Sequence, residues 1–449
     1  MSIAMAGVGD ARMAESQLGR RTVATYAAAI GPVAILGLPF SVYLPPFIAS
    51  GGTIPVALVG LLFSLSTLWD GIVDPLIGTL IDRKSKGAFP YRDWIIRASV
   101  PLALLLAVLV TVGDSMSFWL LLPLLLIFYS CFSLYDVAHC AWGAALARNA
   151  DDSARIFGNR ELGAKLVLIL AFGAPALAQA LIPGLDLQGR ILAYVGLLFL
   201  ALPLALWAVY QLPSRAIVPE PGIGWRAEIG ISLKTRPLLL VWLIQLLGAF
   251  SFGSLTATFI FFADGYLRLD AQGALLLFGT FIGGAIATPI WIQIARRMGK
   301  PVALVCNCLW LIAVLLMGWT LPSGVFLTAL LFSMGLGSGF MGLIFIHGMI
   351  ADISPHDRRR CGRDRTAFLY ALTNLLQKFG NAIAVGATYG LLGLYGFDAT
   401  RPEESGEVIR TLILTLPVIG WGLMCLVTLL LRREPMVNQR LGTLQRPAV

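Results

Sequence analysis

Residues 53–84 read TIPVALVGLLFSLSTLWDGIVDPLIGTLIDRK. The stretch from 53 to 80 is long enough to cross a bilayer, which takes about 20 apolar residues in a helix. Only two charges interrupt it, Asp70 and Asp74. An ionisable side chain at bilayer depth costs about 2.5–3.5 kcal/mol on insertion scales, so such residues face a wet cavity or one another. Spaced four apart, the two acids share one helix face with Cβ atoms about 5–6 Å apart. Carboxylates that close repel unless a cation lies between them or one carries a proton. Gly71 and Pro75 permit close packing and a local break that frees carbonyl oxygens. Asp82, followed by Arg83 and Lys84, reads as the end of the helix.

The rest of the chain repeats this pattern. Of 449 residues 58% are hydrophobic and 13% charged, and the mean hydropathy is +0.82. A soluble domain carries about a quarter charged residues, and single water-soluble cores stop growing near 250–300 residues. Apolar runs fall at about 23–49, 53–80, 94–113, 117–147, 162–183, 190–211, 237–263, 272–295, 301–320, 323–353, 366–394 and 408–431. This is an all-α integral membrane pattern of twelve transmembrane helices. The residues before Arg20 lack the apolar core and cleavage site of a signal peptide, so the first run reads as an uncleaved helix.

The net charge of +9 distributes by loops, not as one patch. With the amino terminus in the cytoplasm, 28 of the 33 basic residues fall on that side, among them Arg83, Lys84, Arg160, Lys165, Arg296, Arg297 and Arg358 to Arg360. Only Arg190, Arg268, Arg401 and Arg410 fall opposite, and Lys378 stays inside a helix. The positive-inside rule then puts both ends in the cytoplasm of a multi-pass protein of the inner (plasma) membrane. Topology accounts for the charge, and no nucleic-acid partner is implied. The six cysteines show neither a disulfide framework nor zinc-ligand spacing.

The Pro- and charge-rich stretch 212–236 reads as a cytoplasmic linker between six-helix bundles at 23–211 and 237–431, with a cytoplasmic N-terminus at 1–22 and a cytoplasmic tail at 432–449. A weak echo relates the bundles. Ile81-Asp82-Arg83-Lys84 closes the second run and Ala295-Arg296-Arg297 the eighth, while Arg148 to Asp152 follows the fourth run and Ala351-Asp352 ends the tenth. Related halves around a central site are the architecture of many secondary carriers. No phosphate-binding GxxxxGK[ST] loop is present, which argues against ATP hydrolysis.

Further polar groups sit inside runs. Ser133, Asp136 and His139 recur every third residue on the fourth run, giving one polar face. Asp136 suits solute hydroxyls or a cation shell, and His139 a proton or a buried hydrogen bond. Trp142 can stack on a sugar ring or simply pack. Lys378 is about a dozen residues into the eleventh run; a lysine so deep must find an acid, and Asp70, Asp74 and Asp136 are available. His347 and Asp352 read as gate or structural residues.

Trp69-Asp70-Gly71-Ile72-Val73-Asp74-Pro75-Leu76-Ile77-Gly78 with the basic loop after it, Asp136-Val137, Arg160, Ala351-Asp352 and Asn374 to Gly380 together resemble the glycoside–pentoside–hexuronide:cation symporter family, the melibiose permease-like group of the major facilitator superfamily. The resemblance covers nearly the whole chain. It implies a twelve-helix major facilitator fold in two halves and a monomer in membrane lipid, without a cofactor. The implied partners are a small polar solute, a sugar or glycoside, and a coupling cation. It further implies that Asp70, Asp74 and Ser133 bind the cation, that Asp136 and Arg160 contact solute beside His139 and Trp142, and that Lys378 couples the two sites. The family's Asn between the acids is Val73 here. That removes one oxygen ligand and favours H+ over Na+ as coupling ion; were it Na+, Asp70 and Asp74 would be its metal ligands. The acid that sugar carriers place in helix one is absent from Gly31-Pro32-Val33-Ala34. The uncharged first helix leaves open a carrier for a less polar solute such as a lysolipid or aglycone. A membrane-embedded lipid-synthesis transferase, with Asp70, Asp74 and Asp82 on a metal, is a third reading; it lacks the Ala-Arg that should follow Asp70-Gly71.

Overall fold

A computed structural model describes residues 19–84, 90–146, 150–182, 184–213, 225–269, 272–339, 342–362 and 365–433. The expected amino-terminal segment before Gly19, the loop with Gly87 and Phe89, most of the linker and the tail beyond Arg433 lie outside the described residues. Backbone polar groups have no water to pair with in a bilayer, so an apolar chain of this kind closes its hydrogen bonds within helices. Among the described residues every regular element is helical.

Each apolar run has a helical counterpart. The spans are Arg20–Ser50, Val56–Lys84, Pro90–Val112, Phe118–Leu146, Ala150–Leu181, Leu187–Gln211, Arg236–Phe261, Gly273–Met298, Lys300–Gly318, Phe326–Ser338 with Gly342–Cys361, Thr366–Leu394 and Gly406–Leu431. Ten of these are long and apolar enough to cross a membrane. The tenth is in two pieces, and the eleventh carries Lys378. Leu120, Leu200, Leu204 and Trp207 are among many large apolar side chains left exposed around the outside. A water-facing surface rarely carries so much apolar area in one belt; here it faces lipid.

Two six-helix halves meet along two seams, the second span on the eleventh and the fifth on the eighth. Exchanging each span for the one six later maps one seam onto the other, the geometric form of the echo between spans two and eight. Small residues set the approach at the first seam. A Cβ on Gly60 would lie 2.3 Å from the Cβ of Tyr389, one on Gly393 2.7 Å from that of Ala57, and Ser64 donates to the Ala382 carbonyl at 2.7 Å.

The end remote from the chain termini is closed across the halves. Arg190 at the start of the sixth span lies 3.6 Å from Asp264, which sits in a π-helical turn, Phe262–Tyr266, ending the seventh. Gln179 accepts from the Ala274 backbone N–H at 3.0 Å, and Phe172 stacks on Phe281 at 4.2 Å. Arg190 thus ties the sixth span to the seventh across the halves and is not merely a loop charge. Arg365 is likewise structural: it is buried, lies 3.3 Å from Asp357, and donates to Ser232 of a short helix, Trp225–Ser232, within the expected linker.

The Gly60 seam makes a direct test. Gly60→Val should lower thermal stability in detergent by about 1–3 kcal/mol, the usual cost of overpacking. Gly78→Val, where a Cβ meets nothing within 4 Å, should leave it unchanged.

Candidate functional site

Asp70 and Asp74 stand one helical turn apart on the second span, and the eleventh crosses against them. Lys378 Nζ lies 2.7 Å from Asp70 Oδ2 and 2.5 Å from Asp74 Oδ2. Ser133 of the fourth span donates its hydroxyl to Asp70 Oδ1 at 2.5 Å. Gly71 makes the crossing possible, since a Cβ there would sit 3.0 Å from Leu375 and 3.9 Å from the stem of Lys378. Asp70 is buried and Asp74 about one-third exposed. Ionised, the three groups carry one excess negative charge. A single monovalent cation or proton would cancel it, and the gain is largest where water is scarce. Val73 turns away from this cluster, into an apolar group with Ile77, Tyr135 and Ala138.

The second expected group is differently arranged. Arg160 of the fifth span is ion-paired to Asp136 of the fourth. His139 is fully buried, its ring stacked on Tyr26 at 4.2 Å and 5°. Its Nε2 is 3.1 Å from the Tyr26 carbonyl, which can only accept, so the ring hydrogen belongs on Nε2. Nδ1 then accepts from Arg160 Nε at 3.4 Å. Trp142 is also buried, and its Nε1 donates to the Pro213 carbonyl at 3.0 Å. Both rings pack between helices of the first half. His139 and Trp142, expected beside the solute, are both buried and neither is in the cavity wall. Asp136 and Arg160 satisfy one another and also lie outside the cavity wall.

A cavity of about 570 Å³ lies between the halves. Phe63, Phe128, Phe132, Leu168 and Phe252 form an apolar wall, and Ser41, Thr67, Asp70, Lys165, Thr256, Gln377, Lys378 and Asn381 supply polar groups. Few polar groups on an apolar wall is the usual make-up of a small-molecule site. The first span is broken at Gly37 where it lines this cavity, with φ −67° and ψ −100°. Irregular backbone at membrane depth is tolerated where it lines a cavity. Val33 and Ala34, where an acid was noted as missing, are in the wall.

Lys165 was grouped with the loop charges, yet it lies on the inward stripe of the fifth span, one turn before Leu168 and two before Phe172. Its place inside the 162–183 run was the signal that could have found it. Gln377 and Asn381, one turn apart beside Lys378, were legible from the same helical spacing. His347 and Asp352 lie elsewhere: His347 stacks on Tyr370, and Asp352 receives Lys300 Nζ at 2.7 Å.

Comparison with known proteins follows this geometry. The model of the family described as MFS/sugar transport protein matches residues 25–436. Two Bacillus subtilis (strain 168) proteins, the uncharacterized symporters YjmB and YnaJ, are 23% and 22% identical over 415 and 395 residues. These alignments cover 85% of this chain and 85% of YjmB, and 84% and 83% for YnaJ. Among solved structures, the nucleoside transporter NupG superposes with a TM-score of 0.63 at 12% identity, over 92% of this chain and 98% of that one. The E. coli fucose:proton symporter FucP gives 0.55 at 14%, over 92% and 98%. At these identities the structural likeness speaks for fold alone.

The packing role of His139 has a measurable consequence. His139→Phe keeps the stack on Tyr26 but loses two hydrogen bonds. It should cost about 1–2 kcal/mol in thermal stability and leave the pH profile of solute uptake in place. A displaced profile would show instead that the ring carries a transported proton.

Proposed function

We propose that this chain, which belongs to the MFS/sugar transport protein family, is a cation-coupled symporter that moves a small polar solute by alternating access of its two halves. It is a multi-pass membrane transporter and not an enzyme, so the transferase reading falls. Cation coupling, the solute and an orientation with both ends in the cytoplasm are our proposal. One observation carries it: a lysine of one half held by two acids of the other, at a cavity between them.

The pair works against rocking. Separating the halves at this seam would leave Asp70 and Asp74 facing each other without Lys378, and a buried acid without its partner is strongly destabilised. A cation arriving on the carboxylates loosens their hold on Lys378. We assign the coupling ion as a proton. Sodium needs several oxygens, but Asp70 already serves Ser133 and Lys378, and Val73 offers none. The symport named for YjmB, YnaJ and FucP agrees with this class. The phenylalanine-rich wall supports a second reading, an amphiphile such as a lysolipid as cargo.

Purified protein in liposomes tests this. Asp74→Asn should abolish accumulation driven by an imposed proton gradient, at least about a hundredfold, while facilitated exchange of solute persists. Accumulation undiminished in Asp74→Asn would sink the coupling role. Flux of lysolipid with none of any sugar would overturn the polar solute and keep the fold.

A further inference from the structure

Two phenol hydroxyls are buried beside the Arg190–Asp264 contact at the remote end. Tyr43 of the first span and Tyr194 of the sixth are fully buried, with their rings stacked at 5.9 Å and 20°. Neither hydroxyl has a hydrogen-bond partner among the described residues. That is not the rule in this half, where the buried phenols of Tyr26 and Tyr135 both donate to backbone carbonyls. Tyr194 follows Arg190 by four positions, on the same face of the sixth span. Tyr43 packs on Phe172, whose ring stacks on Phe281 of the opposite half. Its hydroxyl is also near enough to Arg190 and Asp264 to feel both charges.

We infer that Tyr43 and Tyr194 are a counterweight to an Arg190–Asp264 latch: closing the remote end takes their hydroxyls out of water without giving them a protein partner. A buried hydroxyl costs free energy whether it stays unbonded or immobilises a water. Opening the junction removes that cost. The latch works the other way. Arg190 and Asp264 gain each other on closure. Gly273 leaves room for them, since a Cβ there would sit 3.1 Å from Arg190 Nη1 and 3.2 Å from Asp264 Oδ1. Gln179 takes the Ala274 N–H across the same junction. A closure made of gains alone would hold the carrier shut. A ligand moves a two-state equilibrium only by its differential affinity for the states, so a small cargo needs states of similar free energy. Phenylalanine would fill the same space at both positions and tilt the balance towards closure.

The inference rests on the alternating-access reading, and its test needs neither solute nor gradient. Hydrogen–deuterium exchange is followed in the purified full-length protein at the Ala274 amide, whose partner Gln179 lies in the opposite half. The Gly324 amide, bonded to the Leu267 carbonyl within its own half at 2.7 Å, is the reference. Tyr43→Phe and Tyr194→Phe should each slow exchange at Ala274 about tenfold. Asp264→Asn should speed it by about as much, and Tyr43→Phe added to Asp264→Asn should bring it back towards the wild-type rate. Gly324 should hold steady throughout. Exchange at Ala274 that is unmoved or faster in either phenylalanine variant would overturn the counterweight. A parallel change at Gly324 would do so too, because it marks local unfolding and not opening. An unchanged rate in Asp264→Asn would remove the latch. The phenylalanine variants decide even if Asp264→Asn does not fold. Uptake indifferent to every gradient, with these exchange shifts in place, would sink the symport reading and leave this one standing. Driven uptake with no shift at Ala274 would do the reverse.

Discussion

Everything central to this molecule depends on an ammonium group shared by two carboxylates across the seam between its halves. In water such a contact would be worth little. At membrane depth, where each unpaired charge is costly, it determines which helices can lie together. Asp70 and Asp74 must share a helix face, Lys378 must reach it from the opposite half, and Gly71 must leave room for its stem. Ser133 satisfies the remaining side of Asp70, bringing in a third span.

The same pair explains why the halves communicate. The remote end is shut by Arg190 with Asp264, by Gln179 on Ala274, and by aromatic packing. The cavity lies between that closure and the cation cluster, with Asp70 and Lys378 in its wall. The Asp70–Lys378 pair and the cavity thus share a boundary. Helical regularity yields where the solute space requires it, at Gly37, and near the remote gate, in the π-helical turn holding Asp264. Some neighbouring polar groups lie outside the cavity wall. Asp136, Arg160, His139 and Tyr26 close a hydrogen-bonded knot inside the first half.

The cavity wall draws on both halves of the molecule. The first span contributes Val33, Ala34, Leu36, Gly37, Leu38, Ser41 and Pro45, none of them charged, while the fifth contributes Lys165. The wall thus carries charged side chains at two places, Asp70 with Lys378 and, separately, Lys165. Aromatic side chains supply apolar area for a ring or chain, and the polar groups fix its direction.

Hydropathy determined by itself the membrane class, the twelve runs and the division into halves, because bilayer thickness imposes a length on every span. Asp70, Asp74 and Lys378 were legible one by one, since a charge inside an apolar run has few bland explanations. Their convergence was not: a partner 304 positions away along the chain is brought near only by the crossing of two helices. Tertiary structure also separated residues that helical spacing grouped. His139 shares a stripe with Ser133 and Asp136, but a stripe does not say whether it faces a cavity or a neighbouring helix, and Tyr26 settled that by stacking on the ring. Lys165 went the other way, from an apparent loop charge to a cavity wall, because which residues line a cavity between the halves depends on how the halves pack.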